Sequence, residues 1–370
     1  MIPITNAYDP GENRVLLPGS IQILHEPTPE WNYAHHPFLT RFHDRFILTF
    51  SLGHNQEDDV GQRVMITDSD DFIHWSEPRE LAHPDRPGGV LIPSGPYACE
   101  SRINQYLLQF SYRDDVLVNG HRQSGSAGRI DWCYRVLTSK DGETYQEVGR
   151  LPRNVFGGNM PVQRLSGGRL FSCGGQHAGW TDDPEGLTGW TGAEIFPDDY
   201  PRRLTAEHAH PLLPGEVGDF RLELCEGSFL EYDDGRLLML LRSGTPYLWA
   251  SFSEDHGTSW TLPEPTDFTD NRTKFFLGRL PDGRYYHVGT PDPFPPRTRH
   301  VLALSLSEDG RNFSRHYLLE NRQFKGRYPG LDKNGIYGYP TCVVHDRTLY
   351  VTCSINKEMI AVMHYDLNHV

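Results

Sequence analysis

Two histidines stand side by side in Trp31-Asn-Tyr-Ala-His35-His36-Pro37, directly before the apolar run Phe38 to Phe50. An imidazole can exchange a proton near neutral pH or neutralise a carboxylate. Neighbouring side chains of an extended segment point to opposite faces, so one ring of the pair is expected to face a pocket and the other to turn away. Glu57, Asp58 and Asp59 follow in the next loop and offer carboxylates for a cation or for the hydroxyls of a sugar. Gln62 and Arg63 close that loop. A guanidinium forms a two-pronged pair with a carboxylate, which makes Arg63 a candidate binding residue; it could equally anchor the acidic loop beside it.

Further candidates stand at comparable places along the chain. Glu100 and Arg102 precede one apolar strand, Tyr134 lies in the next, and Asn159 precedes another. Glu226 opens a strand pair that ends at Arg242, an arginine set directly after five apolar residues, and Tyr337, Tyr339, Asn356, Lys357 and Glu358 lie near the carboxyl end. A tyrosine whose phenolate is stabilised by arginine or histidine can take a proton. That arrangement suits β-elimination beside a uronate whose carboxylate has been neutralised. Hydrolysis of a glycoside would instead need two flanking carboxylates or a histidine acid, and Glu57, Asp58, Glu226 and Glu358 are available. His208-Ala-His210 has the alternate spacing of two metal ligands on one strand face, but neither His177 nor any other residue is marked as a third ligand, and a surface role is expected. Metalloprotease, P-loop, dinucleotide and serine-elbow motifs are absent.

The elements that must position these residues are short strands in a recurring unit. The clearest copy is Gly227-Ser-Phe-Leu-Glu-Tyr-Asp-Asp-Gly-Arg-Leu-Leu-Met-Leu-Leu-Arg242, followed by a strand ending in Ser253-Glu-Asp-His-Gly-Thr-Ser-Trp260. Asp234-Gly235 is a hairpin signal, because glycine accepts the positive φ such turns require. Similar units begin near Phe38, Asn104, Val162, Lys274 and Tyr339, which makes six. Units of this kind bury their apolar faces only against neighbours and therefore close into arrays. The expected fold is an all-β propeller forming a single domain over residues 1–370. Ile21-Gln-Ile-Leu24 is the expected amino-terminal strand that completes the last blade.

Composition narrows the partners. The chain has 370 residues with 49 acidic and 35 basic side chains, a formal charge of -14, which argues against nucleic acid or an anionic membrane as partner. Its 36 glycines and 28 prolines suit many tight turns. No apolar stretch approaches the length that spans a bilayer, and the first ten residues lack the pattern of a secretory signal, so a cytoplasmic location is expected. Six widely spaced cysteines without a CxxC pair read as buried small hydrophobes.

Ser253-x-Asp255-x-Gly257-x-x-Trp260 resembles the Asp box of sialidase-like propellers, with looser forms at Ser69, Ser139 and Ser307. The run Asn32-Tyr-Ala-His-His-Pro37 with Glu57-Asp-Asp-Val-Gly-Gln-Arg-Val64, together with segments at Glu226 to Trp260, Leu280 to Arg284 and Tyr339 to Glu358, resembles rhamnose–glucuronate-cleaving enzymes and their ulvan lyase relatives. That resemblance covers most of the chain and implies a seven-bladed propeller, one blade more than the repeat shows, with a Ca2+ ion in the central channel of several members. It implies cleavage of L-rhamnose linked α-1,4 to glucuronic acid, with a catalytic histidine at His36 or His35. Tyr134 and Arg242 complete the expected catalytic set. Gln62, Arg63, Asn159, Glu226, Tyr339, Lys357 and Glu358 are the expected substrate contacts. The expected partner is a small acidic oligosaccharide bound by a monomer or small homo-oligomer. Elimination is the leading chemistry, a rhamnosidase- or sialidase-like hydrolase the next, and a non-catalytic carbohydrate-binding propeller the third.

Overall fold

The computed structural model describes residues 2–13, 15–123, 128–200 and 223–370. His208 and His210 lie outside the described residues. Strand-forming runs dominate because apolar and polar residues alternate over short stretches broken by turn residues. The run Leu237–Leu241 has every residue buried, as expected of a strand sandwiched between neighbouring sheets.

Among the described residues these strands form six sheets of at least four antiparallel strands, the blades of an all-β propeller. Blade one spans 33–82, blade two 89–152, blade three 163–194, blade four 227–269 and blade five 276–320. Blade six takes three strands from 337–366, and its fourth is Gly19–His25, antiparallel to Met359–Asp366 with Ile21 opposite Met363. Ile2–Thr5 adds a parallel fifth strand to blade four along Glu264–Thr269. The blades number six, as the repeat allows, and not the seven that the resemblance implies. The six readable units account for every blade, and the seventh rested on the resemblance alone.

Apolar side chains pack between adjacent blades, as where Phe171 of blade three meets Phe229 of blade four with ring centroids 4.8 Å apart. The Ser-x-Asp turns are local devices. Ser253 Oγ donates to Asp255 Oδ1, which also accepts the backbone N–H groups of Thr258 and Ser259 at 3.1 and 2.8 Å. The Trp260 indole then donates to the Gly257 carbonyl at 3.1 Å. Gly257 has φ +86°, which explains the glycine there. No helix of the described residues is long and apolar enough to cross a membrane.

Three innermost strands are bent at matching places. Tyr33–Phe42 loses register between His35 and Phe38, Gly89–Cys99 between Pro93 and Pro96, and Tyr337–His345 between Gly338 and Thr341. The first and third breaks contain a proline (Pro37, Pro340) and the second is bounded by two (Pro93, Pro96); proline has no N–H to give to a ladder. A bulge re-aims side chains that regular pleating would have sent elsewhere.

Candidate functional site

Those bulges open onto a cavity of about 440 Å3 lined by segments from around the ring. Its volume lies in the range of small-molecule sites. Eight arginines and lysines line it against five carboxylates, so a chain of net charge -14 carries a cationic cavity. Backbone strain gathers there too. Eight of the seventeen non-glycine residues with positive φ among the described residues line this cavity, including His36, Asp58, Arg299 and Tyr339. Each such residue costs on the order of 1–3 kcal/mol, and such conformations persist where function or packing enforces them. His36 and Tyr339 carry the strain directly before a proline, where sterics favour extended backbone.

The bulge corrects the expectation for the histidine pair. Because His36 takes φ +53°, the two rings do not oppose one another; they lie on the same side with centroids 4.4 Å apart. His36 reaches the cavity, while His35 is fully buried behind it, 4.1 Å from the Tyr339 ring centroid. Burial draws the His35 imidazole well below its ordinary pKa, reinforced by His36 and Lys357.

Tyr339 sits at the core of the site. Its hydroxyl donates to Glu226 Oε1, which also accepts Arg242 Nη1 at 3.1 Å. Glu226 Oε2 is buried without a hydrogen-bond partner. Burial acts to raise the Glu226 carboxyl, but Arg242, with the hydrogen bonds from Cys225 and Tyr339, brings it down to about 2. The Tyr339 phenol is pushed well above its usual value by burial and by Glu226. At rest the proton therefore sits on tyrosine and the charge on glutamate.

Arg299, 4 % exposed, spends Nη2 on the Arg272 carbonyl at 2.8 Å and leaves Nε and Nη1 without partners. Burial, then Arg242, lowers its pKa. Lys274 Nζ lies 4.1 Å from the Phe38 ring centroid, and burial draws its ammonium down to about 7. Asp58 lines the wall in an ion pair with Arg129 at 2.7 Å; burial raises its carboxyl against that pull, and Oδ1 has no partner.

Of the expected residues, the fold brings His36, Tyr134, Asn159, Glu226, Arg242, Tyr339 and Lys357 into the cavity wall. The others are placed differently. Arg63 lies outside the cavity, paired with Glu80 at 2.8 Å and stacked on Trp31, because its strand turns that face outward. Gln62 is buried and braces the loop, accepting the Asp58 N–H at 2.9 Å. Glu358 is buried with Lys333 and accepts the N–H groups of Arg327 and Tyr328, a structural role. Tyr134 commits its hydroxyl to the Gly157 carbonyl, and burial raises its phenol with only Arg153 pulling back. Arg102 pairs with Glu185 away from the cavity. Sequence reading passed over Arg122, in the short strand His121–Arg122, Arg129, which opens the strand Arg129–Ser139, and Lys274, Arg297 and Arg299, which stand in the connections beside the first strands of blade five. A signal was available: the connections on either side of the strand pair 276–289 carry four cationic side chains that reach the cavity, Arg272, Lys274, Arg297 and Arg299.

Among the described residues one group has the composition and spacing to hold a metal ion: His35, His36 and Glu57, whose ligand atoms lie within 4.8 Å of one another. Two imidazole nitrogens and one carboxylate suit a borderline ion better than Ca2+, which takes six to eight oxygens.

The model of the BNR repeat-like domain matches residues 115–351, more than half of the chain. The chain belongs to the BNR repeat-like family. Solved structures similar to this BNR repeat-like protein share its fold at low identity. A structure described as "Sialidase" is 18% identical with a TM-score of 0.60, over 96% of this chain and 33% of that one. The sialidase of Trypanosoma rangeli in complex with sialic acid is 12% identical, TM-score 0.65, over 96% and 59%. A protein of unknown function from Dyadobacter fermentans is 15% identical, TM-score 0.64, over 94% and 99%. The chain thus spans a third of the first of these and about three fifths of the second. Comparison with curated protein sequences gives no match.

Proposed function

We propose that this protein is a glycoside-cleaving enzyme acting on a sugar that bears a carboxylate, with Tyr339 as nucleophile. The observation that carries this reading is the Tyr339–Glu226–Arg242 chain, set in a cationic cavity beside the two unused donors of Arg299. A substrate carboxylate is repelled by a carboxylate nucleophile and tolerates a neutral phenol. Arg299 and Arg242 are placed to bind that carboxylate by charge-assisted hydrogen bonds.

As the Tyr339 oxygen bonds the anomeric carbon, its proton passes to Glu226. The electron pair of the glycosidic C–O bond leaves with the aglycone oxygen, which takes a proton from Asp58, a second wall carboxyl with an unpartnered oxygen and one that burial favours in its protonated form. Water then attacks the same carbon and gives a proton to Asp58, the bond from that carbon to the Tyr339 oxygen breaks with its electron pair on the phenolate, and the phenolate takes back its proton from Glu226. Similar propellers described as sialidases, one in complex with sialic acid, are consistent with a carboxylate-bearing sugar. Elimination has one of its two expected bases left, because Tyr134 is bound to a backbone carbonyl while His36 lines the cavity.

The test incubates the protein with sialosides and with rhamnosyl-glucuronate oligosaccharide, following released sugar and the ultraviolet absorbance of an unsaturated uronate. Sugar released without that absorbance, and lost in Tyr339→Phe, is the expected result. Absorbance rising with sugar release would establish elimination instead. Binding with neither product would mark a carbohydrate-binding propeller.

A further inference from the structure

We propose that His35, His36 and Glu57 bind a first-row transition dication, zinc in preference to calcium, in the wall of the cavity. The site rests on its own geometry and stands apart from the glycosidase reading. His35 Nε2 and His36 Nε2 lie 3.8 and 3.5 Å from Glu57 Oε1. These separations are long for hydrogen bonds. They are close to the roughly 3.3–3.4 Å between ligand atoms around tetrahedral zinc with bonds of about 2.0–2.1 Å.

Each remaining atom of the three side chains is already engaged. His35 Nδ1 meets Ser354 Oγ at 2.5 Å, and His36 Nδ1 meets Ser51 Oγ at 3.1 Å. Outer partners of this kind orient metal-binding imidazoles and turn both Nε2 atoms to a common point. Glu57 gives its second oxygen to Lys357 Nζ at 2.6 Å, which leaves Oε1 for the ion. His35 Nε2 is wholly buried and has no hydrogen-bond partner, an expensive state for a polar atom. The strained bulge at His36 is what brings the two adjacent rings to one side. His36 and Glu57 line the cavity, so the open coordination positions face it and accept water or an anionic oxygen of a ligand. Lys357 opposes a dication and weakens its binding.

Chelator-treated full-length protein is titrated with Zn2+, Co2+ and Ca2+ by calorimetry, with the visible spectrum of Co2+ reporting its ligands. One Zn2+ per chain is expected, with a Co2+ spectrum of low-coordinate nitrogen and oxygen ligation and much weaker binding of Ca2+. Ser354→Ala should weaken Zn2+ binding roughly 10- to 100-fold, and His35→Gln or Glu57→Gln should abolish stoichiometric binding. Lys357→Met should tighten it. Absence of saturable Zn2+ and Co2+ binding, equal affinity for Ca2+, or Zn2+ binding unchanged in folded Ser354→Ala and Glu57→Gln would overturn the assignment.

Discussion

The Tyr339 hydroxyl and the Arg242 guanidinium share one acceptor, Glu226 Oε1, although 97 positions separate the two donors along the chain. Blade six supplies the phenol, and blade four supplies both the carboxylate's strand start and the arginine. The arrangement keeps Glu226 ionised against its burial and points it at the only proton that a nucleophilic Tyr339 must lose.

Tyr339→Phe and Glu226→Gln are each expected to lower kcat by roughly 10²- to 10⁴-fold. Because the two act as one unit, the double variant should be little worse than the weaker single one. Steady-state kinetics on the four proteins measures this. Losses that multiply would show that the two side chains act separately.

Arg299→Met removes two unused buried donors and should raise KM for a carboxylate substrate roughly 10- to 100-fold, the worth of one charge-assisted hydrogen bond. The methyl ester of the same substrate should lose much less. Equal losses on acid and ester would place Arg299 in support of the fold, not in recognition of the charge.

Asp270 is 2 % exposed, and burial pushes its carboxyl up to about 7 against the Thr273 N–H, Arg242 and Arg299. Between the ordinary value of 3.8 and about 7, the folded protein keeps a proton that the unfolded chain has lost. Unfolding free energy therefore falls as pH rises through that window, by up to ~4 kcal/mol at ~1.4 kcal/mol per unit. Asp270→Asn should match the parent near the bottom of the window and exceed it in stability above its top. Lys274, drawn down to about 7, contributes the opposite slope between there and 10.5, so the difference between variant and parent is the quantity to read. Denaturant unfolding across this pH range would show parallel curves if Asp270 titrates normally.

Arg297 holds φ +63° and is half-exposed at the cavity rim. Arg297→Gly should relieve left-handed strain and stabilise the fold by about 1 kcal/mol while weakening binding of an anionic ligand. Thermal unfolding and ligand titration on the same variant test both halves. A stability loss would mean that Glu223, 3.9 Å away, contributes more than the strain costs.

Asp255→Ala deletes the acceptor of two backbone N–H groups in a blade turn remote from the cavity and should cost about 1–2 kcal/mol without altering kinetics. Changed kcat would give this turn an influence on the site that its position does not suggest.

The propeller was legible in the chain because strand periodicity and turn chemistry are local. Leu237–Leu241, Asp234-Gly235 and the Ser-x-Asp turns each announce themselves within a few residues, and the six units found there match the six blades. Glu226, Arg242 and Tyr339 could be marked as candidates for a similar reason, since each stands at the end of a readable strand. Their partnership could not be read, because it depends on blades four and six meeting across the ring. The histidine pair failed for a more specific reason: alternation of side chains holds only in a regular strand, and the bulge at His36 inverts it. Net charge likewise describes the whole surface and gave no hint of a cationic cavity, whose arginines come from strand ends and loops far apart in the chain. Local pattern thus determined the repeat and the class of fold, whereas ring closure and three bulges decided which polar groups share one cavity, where partly buried charges and hydrogen bonds act more strongly than in water.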